Sequence, residues 1–142
     1  MQRRMIASLA AILVAIVAVR AENARPAAPA AAAAADVKLG DARKGKEIFE
    51  GRAVPAASCA LCHGVSGKGD GLGAAAIRAA GAVPRDFTNK AEMGKISNAE
   101  MIKAITEGGA SLGKSIFMTP WKGILTAGQI KDVAAYIRLF AQ

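Results

Sequence analysis

Histidine occurs once and cysteine only twice in this 142-residue chain. A structural zinc site needs four nitrogen or sulfur ligands, and these three cannot complete the tetrahedron. A disulfide between Cys59 and Cys62 would close a loop too short to constrain much of an unfolded chain. Aromatic residues are scarce as well, with one Trp, one Tyr and four Phe, and the lysines are scattered. Nucleic-acid binding, which relies on clustered basic charge and stacking platforms, is therefore disfavoured. No stretch alternates β-branched with polar residues over the length of a strand, so a sheet is not indicated.

What the chain does have is concentrated. Both cysteines and the histidine fall in one pentapeptide, Cys59-Ala60-Leu61-Cys62-His63, which is the attachment signature of a c-type haem. Two thiols three positions apart lie one helical turn from each other and can add to the two vinyl groups of one porphyrin. The adjacent imidazole then stands over the iron as an axial ligand. A thioredoxin-type dithiol shares the Cys-x-x-Cys spacing, but it expects a βαβ setting and makes no use of the histidine that follows. The pattern predicts one haem c, covalently attached through Cys59 and Cys62, with His63 on the metal.

The N-terminus agrees with the compartment such chemistry requires. Arg3 and Arg4 precede an apolar run from Met5 to Val19, and Val19-Arg20-Ala21 supplies a cleavage site before Glu22. Residues 1–21 read as a signal peptide for the general secretory route, since the rest of the twin-arginine pattern is lacking. The alternative is an uncleaved anchor. The run falls short of the roughly 18 to 20 residues that span a bilayer, but Arg20 at its end can snorkel. Either way the bulk of the chain lies outside the cytoplasm. Residues 22–37 form an alanine-rich linker with Pro26 and Pro29, a natural spacer for a membrane tether and otherwise a loose tail. Residues 38–142 are then a single domain, large enough to bury a core unaided.

The full chain carries 19 Lys and Arg against 11 Asp and Glu, a formal net charge of +8, and loss of Arg3, Arg4 and Arg20 leaves +5. A mildly basic domain suits transient docking to acidic protein patches or attraction to anionic lipid.

Helical signals dominate the domain. Asp41 to Gly51 reads as a short first helix with Ile48 and Phe49 as its apolar side. Ser97-Asn98-Ala99-Glu100 is a capping box, followed by Met101, Ile102 and Ile105 before Gly108-Gly109 end the helix. Thr126-Ala127-Gly128-Gln129 is a second, followed at helical spacing by Ile130, Val133, Ala134, Ile137, Phe140 and Ala141. Glycines crowd the stretch from Gly64 to Gly81, but no strand precedes it and no Gly-Lys-Ser/Thr ending is present, so it is not a phosphate-binding loop. Asp70 alone cannot build a calcium site. The stretch reads as a loop turning around a bulky group.

Beyond the leader, three methionines are candidates for the sixth position of a haem iron. Met101 sits on an apolar helix face, where core filling is its default role. Met93 lies in a polar loop beside Gly94, where it either ligates or packs. Met118 precedes Thr119-Pro120-Trp121, in which the proline stiffens the loop and the tryptophan is able to cover a porphyrin face. Given a haem, Met118 is the favoured thioether.

Taken in order, these elements resemble a class I, mitochondrial-type cytochrome c of the bacterial, exported kind. The resemblance runs from Leu39 to Gln142 through the helix with Gly45 and Phe49, the haem motif with Gly64, and Gly67-Lys68-Gly69-Asp70-Gly71. It continues through Pro84-Arg85-Asp86-Phe87-Thr88, Met118-Thr119-Pro120-Trp121 and the closing helix with Val133-Ala134-Ala135-Tyr136-Ile137. It implies an all-α fold of three to five helices wrapped around one haem. The first and last helices should cross at Gly45, with Phe49 and Tyr136 packed near the crossing. It further implies His63 as proximal and Met118 as distal ligand, the Pro84 carbonyl orienting the imidazole, and Trp121 beside the cofactor. The function implied is that of a periplasmic electron carrier, not an enzyme, that docks transiently with redox proteins through lysines such as Lys68, Lys114 and Lys122. The rival readings are a haem subunit held in a membrane-bound oxidoreductase complex and a haem protein whose sixth position is open.

Overall fold

Polar side chains start the three longest helices. Asp41 accepts a hydrogen bond from the Arg43 amide at 2.8 Å and opens α1, Ala42–Phe49. The two capping boxes read from the sequence form in full. Ser97 and Glu100 open Asn98–Glu107, and Thr126 and Gln129 open Ala127–Leu139, each satisfying donors that a helix N-terminus leaves unpaired. The computed structural model describes residues 37–142, so the expected leader and linker lie outside the described residues. Three shorter helices, Ala60–His63, Ala74–Ala79 and Lys90–Gly94, fall between the capped ones, and two 3₁₀ turns complete the order. Numbered in chain order, the helices are α1 (42–49), α2 (60–63), α3 (74–79), α4 (90–94), α5 (98–107) and α6 (127–139).

The fold is all-α, as expected. Among the described residues there is no strand, only an isolated bridge between Lys122 and Leu125. The described residues form six helices where three to five were expected, and the additional ones are among the short α2 to α4. Segments of four to six residues cannot hold themselves in water and carry no long periodic pattern; tertiary contacts hold them. No helix among the described residues is long and apolar enough to cross a membrane.

The centre of the molecule is the crossing of α1 with α6. Gly45 makes it possible, because a Cβ at that position would overlap the Asp132 carbonyl. Behind it Phe49 is fully buried, and its ring meets Tyr136 edge-on at 5.3 Å and Phe140 at 5.6 Å. Ile130, Val133, Ala134 and Ile137 of α6 complete this core, to which Met101 and Ile105 of α5 also belong. Each large apolar side chain buried here stabilises the fold by about 1.5–3 kcal/mol before entropy is counted. Met93 does not sit in a polar loop. It lies on α4 with 1% of its surface exposed, packed into the core.

Two polar anchors fasten the rest. The entering chain is tied to α6 by the Gly40 amide, which donates to the Lys131 carbonyl at 3.1 Å, and the Asp41 amide, which donates to Asp132 Oδ1 at 2.6 Å. Arg138 of α6 holds the α4–α5 corner, donating to the carbonyls of Met93 (2.9 Å) and Ile96 (2.5 Å) and to Asn98 Oδ1 (2.9 Å).

Candidate functional site

The haem motif occupies α2. Cys59 already has helical backbone angles, and its carbonyl accepts from the amides of Cys62 (3.2 Å) and His63 (2.9 Å). The three functional residues thus share one turn, with the thiols at the i, i+3 spacing that places them on one face. Cys59 is buried with the core, whereas Cys62 is half-buried. Burial pushes the Cys59 thiol up to about 12. A zinc site would need that group as a thiolate, so its surroundings suit a neutral thiol or a thioether better.

A helix of four residues leaves its carbonyls without internal partners, and here the glycine loop supplies them. The amides of Gly69, Gly71 and Gly73 donate to the carbonyls of His63 (2.8 Å), Cys62 (3.3 Å) and Leu61 (2.8 Å). This antiparallel return needs backbone on both sides. Gly69 has φ +74°, and a Cβ there would come within 2.5 Å of the Pro84 carbonyl. The loop is therefore wedged between α2 and residues 84–88.

That second segment meets the imidazole. His63 Nδ1 lies 3.2 Å from the Arg85 carbonyl, and since a carbonyl can only accept, Nδ1 carries the proton and Nε2 keeps its lone pair. The oxygen expected here was that of Pro84. The structure corrects this by one residue, because the Pro84 carbonyl faces Gly69 and the next one turns to the histidine. Phe87 stacks on the imidazole, with ring centres 4.4 Å apart and planes 21° from parallel. The segment is held by the Phe87 amide donating to the Gly67 carbonyl at 2.7 Å, and by Asp86 Oδ1, which accepts from the Thr88 amide (2.8 Å) and hydroxyl (2.6 Å). Burial holds the His63 imidazole below its ordinary value; the hydrogen bond to the Arg85 carbonyl opposes this, and the Arg85 charge adds to it. The ring is neutral at physiological pH, the form that ligates metals.

Met118 and Trp121 come from a different place, the connection between α5 and α6. The Met118 carbonyl accepts from the Gly109 amide at 2.8 Å, and the Trp121 amide donates to the Ile105 carbonyl at 3.0 Å. Both side chains are half-buried against the core cluster that also contains Cys59. The core is what the two halves of the expected site share.

The model of the family described as cytochrome c matches residues 42–139. The chain belongs to the cytochrome c family. Among solved structures, this cytochrome is similar to the "KustC0563 c-type cytochrome", with 27% identity, 69% of this chain and 98% of that chain covered, and a TM-score of 0.50. No curated protein matches. Membership implies a haem c bound covalently through Cys59 and Cys62, and the donor set fits it. Two cysteines share one helical turn beside a neutral imidazole with no hydrogen bond to Nε2 among the described residues, and Leu61 of the motif and Leu72 of the loop that returns over it, exposed by 53% and 93%, offer apolar surface.

Reading the sequence had not singled out Arg85 or Phe87 for roles at the imidazole. The signal was Asp86-Phe87-Thr88, an Asx-type turn that exposes the carbonyl before it and directs the aromatic after it.

Proposed function

We propose that this cytochrome is a one-electron carrier of the periplasm, with His63 and Met118 as the axial ligands of its haem. The observation that carries the reading is the fixed, neutral imidazole: its Nδ1 proton is given to the Arg85 carbonyl, which leaves Nε2 as the donor. Nitrogen and thioether ligation leaves no coordination site for a substrate, and the soft sulfur favours the reduced state. The haem supplies the one-electron couple. The protein's residues do the rest. Cys59 and Cys62 retain the cofactor in both oxidation states, the Arg85 carbonyl and the Phe87 ring hold the imidazole, and Pro120 with the Gly109 contact stiffens the chain around Met118.

Residues 1–21 act as the export signal or anchor, 22–37 as the linker and 38–142 as the electron-transfer domain in this reading. Partners are redox proteins that dock briefly over a small area, steered by exposed lysines such as Lys68, Lys114 and Lys122. Trp121 stands beside the cofactor. The deciding experiment compares Met118→Ala with the wild-type holoprotein. The variant is expected to fold, to bind carbon monoxide readily when reduced and to show a lower potential. An unchanged spectrum and potential would remove Met118 from the ligand set and favour the reading with an open or differently filled sixth position. The intact mass separates a cleaved, diffusible carrier from an anchored subunit of a larger complex.

A further inference from the structure

A ligating imidazole keeps one freedom that ligation does not remove, rotation about the bond through its Nε2. The contact of Nδ1 with the Arg85 carbonyl restrains that rotation, but at 3.2 Å a single hydrogen bond is a soft restraint. A second restraint is present on the ring's face. Phe87 lies 4.4 Å from the His63 ring, and the two planes are within 21° of parallel, so the imidazole cannot turn without driving an edge into the phenyl ring.

The phenyl ring is itself immobilised. It is 8% exposed and meets Phe49 edge-on at 6.3 Å and Phe140 at 6.3 Å, so the C-terminal ends of both crossing helices back it. Its backbone is pinned through the Gly67 carbonyl. A chain of packed rings therefore runs from the helix crossing to the proximal histidine.

Resting on the reading that His63 is a ligand, we propose that Phe87 is the positioning residue that sets the plane of its imidazole, through ring stacking. Residues that orient a metal's ligands tune the centre almost as strongly as the ligands themselves. The orientation of the imidazole plane, together with that of the second axial ligand, sets how unpaired spin spreads over the four quadrants of a ferric porphyrin. Proton NMR reads this directly, as the order and spacing of the haem methyl resonances.

The test uses ferric holoprotein. Wild type is recorded first: strongly shifted histidine ring protons report ligation, and their absence would sink the ligand reading itself before any variant is made. Phe87→Leu is then expected to rearrange the methyl pattern, Phe87→Tyr to retain the wild-type order, and Val133→Ala, a fully buried truncation in the same core but outside the ring stack, to leave the pattern alone while lowering stability. If Phe87→Leu gives no folded holoprotein, Phe87→Met takes its place, since a flexible thioether fills the space without offering a face. The proposal is overturned if loss of the ring leaves the methyl pattern unchanged, or if Val133→Ala alters it equally.

Discussion

Placing a methyl group at the α1–α6 crossing isolates what the close approach contributes. In Gly45→Ala the new carbon would overlap the Asp132 carbonyl and lie 3.0 Å from Tyr136 Cβ, against backbone that has no rotamer by which to escape. The helices must part. Overpacking of this kind costs about 1–3 kcal/mol, and loosening the bond from the Asp41 amide to Asp132 adds about 0.5–1.5 kcal/mol. Helix propensity returns about 1 kcal/mol when alanine replaces glycine. The net expectation is a loss of about 0.5–3.5 kcal/mol. Gly128→Ala on α6 is the matched control, since its added carbon meets nothing closer than Thr126 Oγ1 at 3.9 Å. It keeps the propensity gain without the clash, so it should stabilise by up to about 1 kcal/mol. Urea denaturation of the two holoproteins, followed by far-ultraviolet circular dichroism, gives both values. A Gly45→Ala protein as stable as wild type would show that the crossing accommodates a side chain and that the geometric argument is wrong.

Arg138→Met should cost about 2–4 kcal/mol, because a methionine fills the space but leaves the Met93 and Ile96 carbonyls and the Asn98 amide oxygen without their charged donor. The same denaturation assay checks it, and a loss under half a kilocalorie would demote the anchor to decoration. Glu100 supplies a pH dependence. The Ser97 amide that it accepts from holds its carboxyl below the ordinary 4.5. A depressed value means that the folded state favours the carboxylate. The contribution is therefore present above pH 4.5 and disappears as pH falls through the folded value. Stability curves of wild type and Glu100→Gln should converge as the pH is lowered from 7 towards 3, and a constant gap would refute the assignment.

The legible parts of this cytochrome were those whose causes are local. Ser97 with Glu100, and Thr126 with Gln129, act across three residues, so a reader of the chain sees both halves of each cap at once. The haem motif is likewise compressed into five residues. Phe49 and Tyr136 meet as the family resemblance implied, although 87 positions separate them and no local pattern announces their contact. Met93 was misplaced because a polar neighbourhood in sequence became a buried position once Arg138 drew the α4–α5 corner inward. Pro84 was one residue off for a similar reason. Which carbonyl faces His63 depends on where the Gly69 return presses, and that is decided by packing between segments 15 residues apart. The placement of Met118 and Trp121 against the core was not readable from their tetrapeptide, since Gly109 and Ile105 provide their backbone partners.

The fastening of Gly40 and Asp41 to Lys131 and Asp132 determines how this molecule meets mechanical load. The Val37 carbonyl accepts from Asn98 Nδ2 at 3.3 Å as well, so a pull on the chain at Val37 is delivered to α5 and α6 together. Such a pull would load three hydrogen bonds, one between backbone groups and two that involve a side chain, at the edge of the helix crossing and away from the Cys59–His63 turn in sequence.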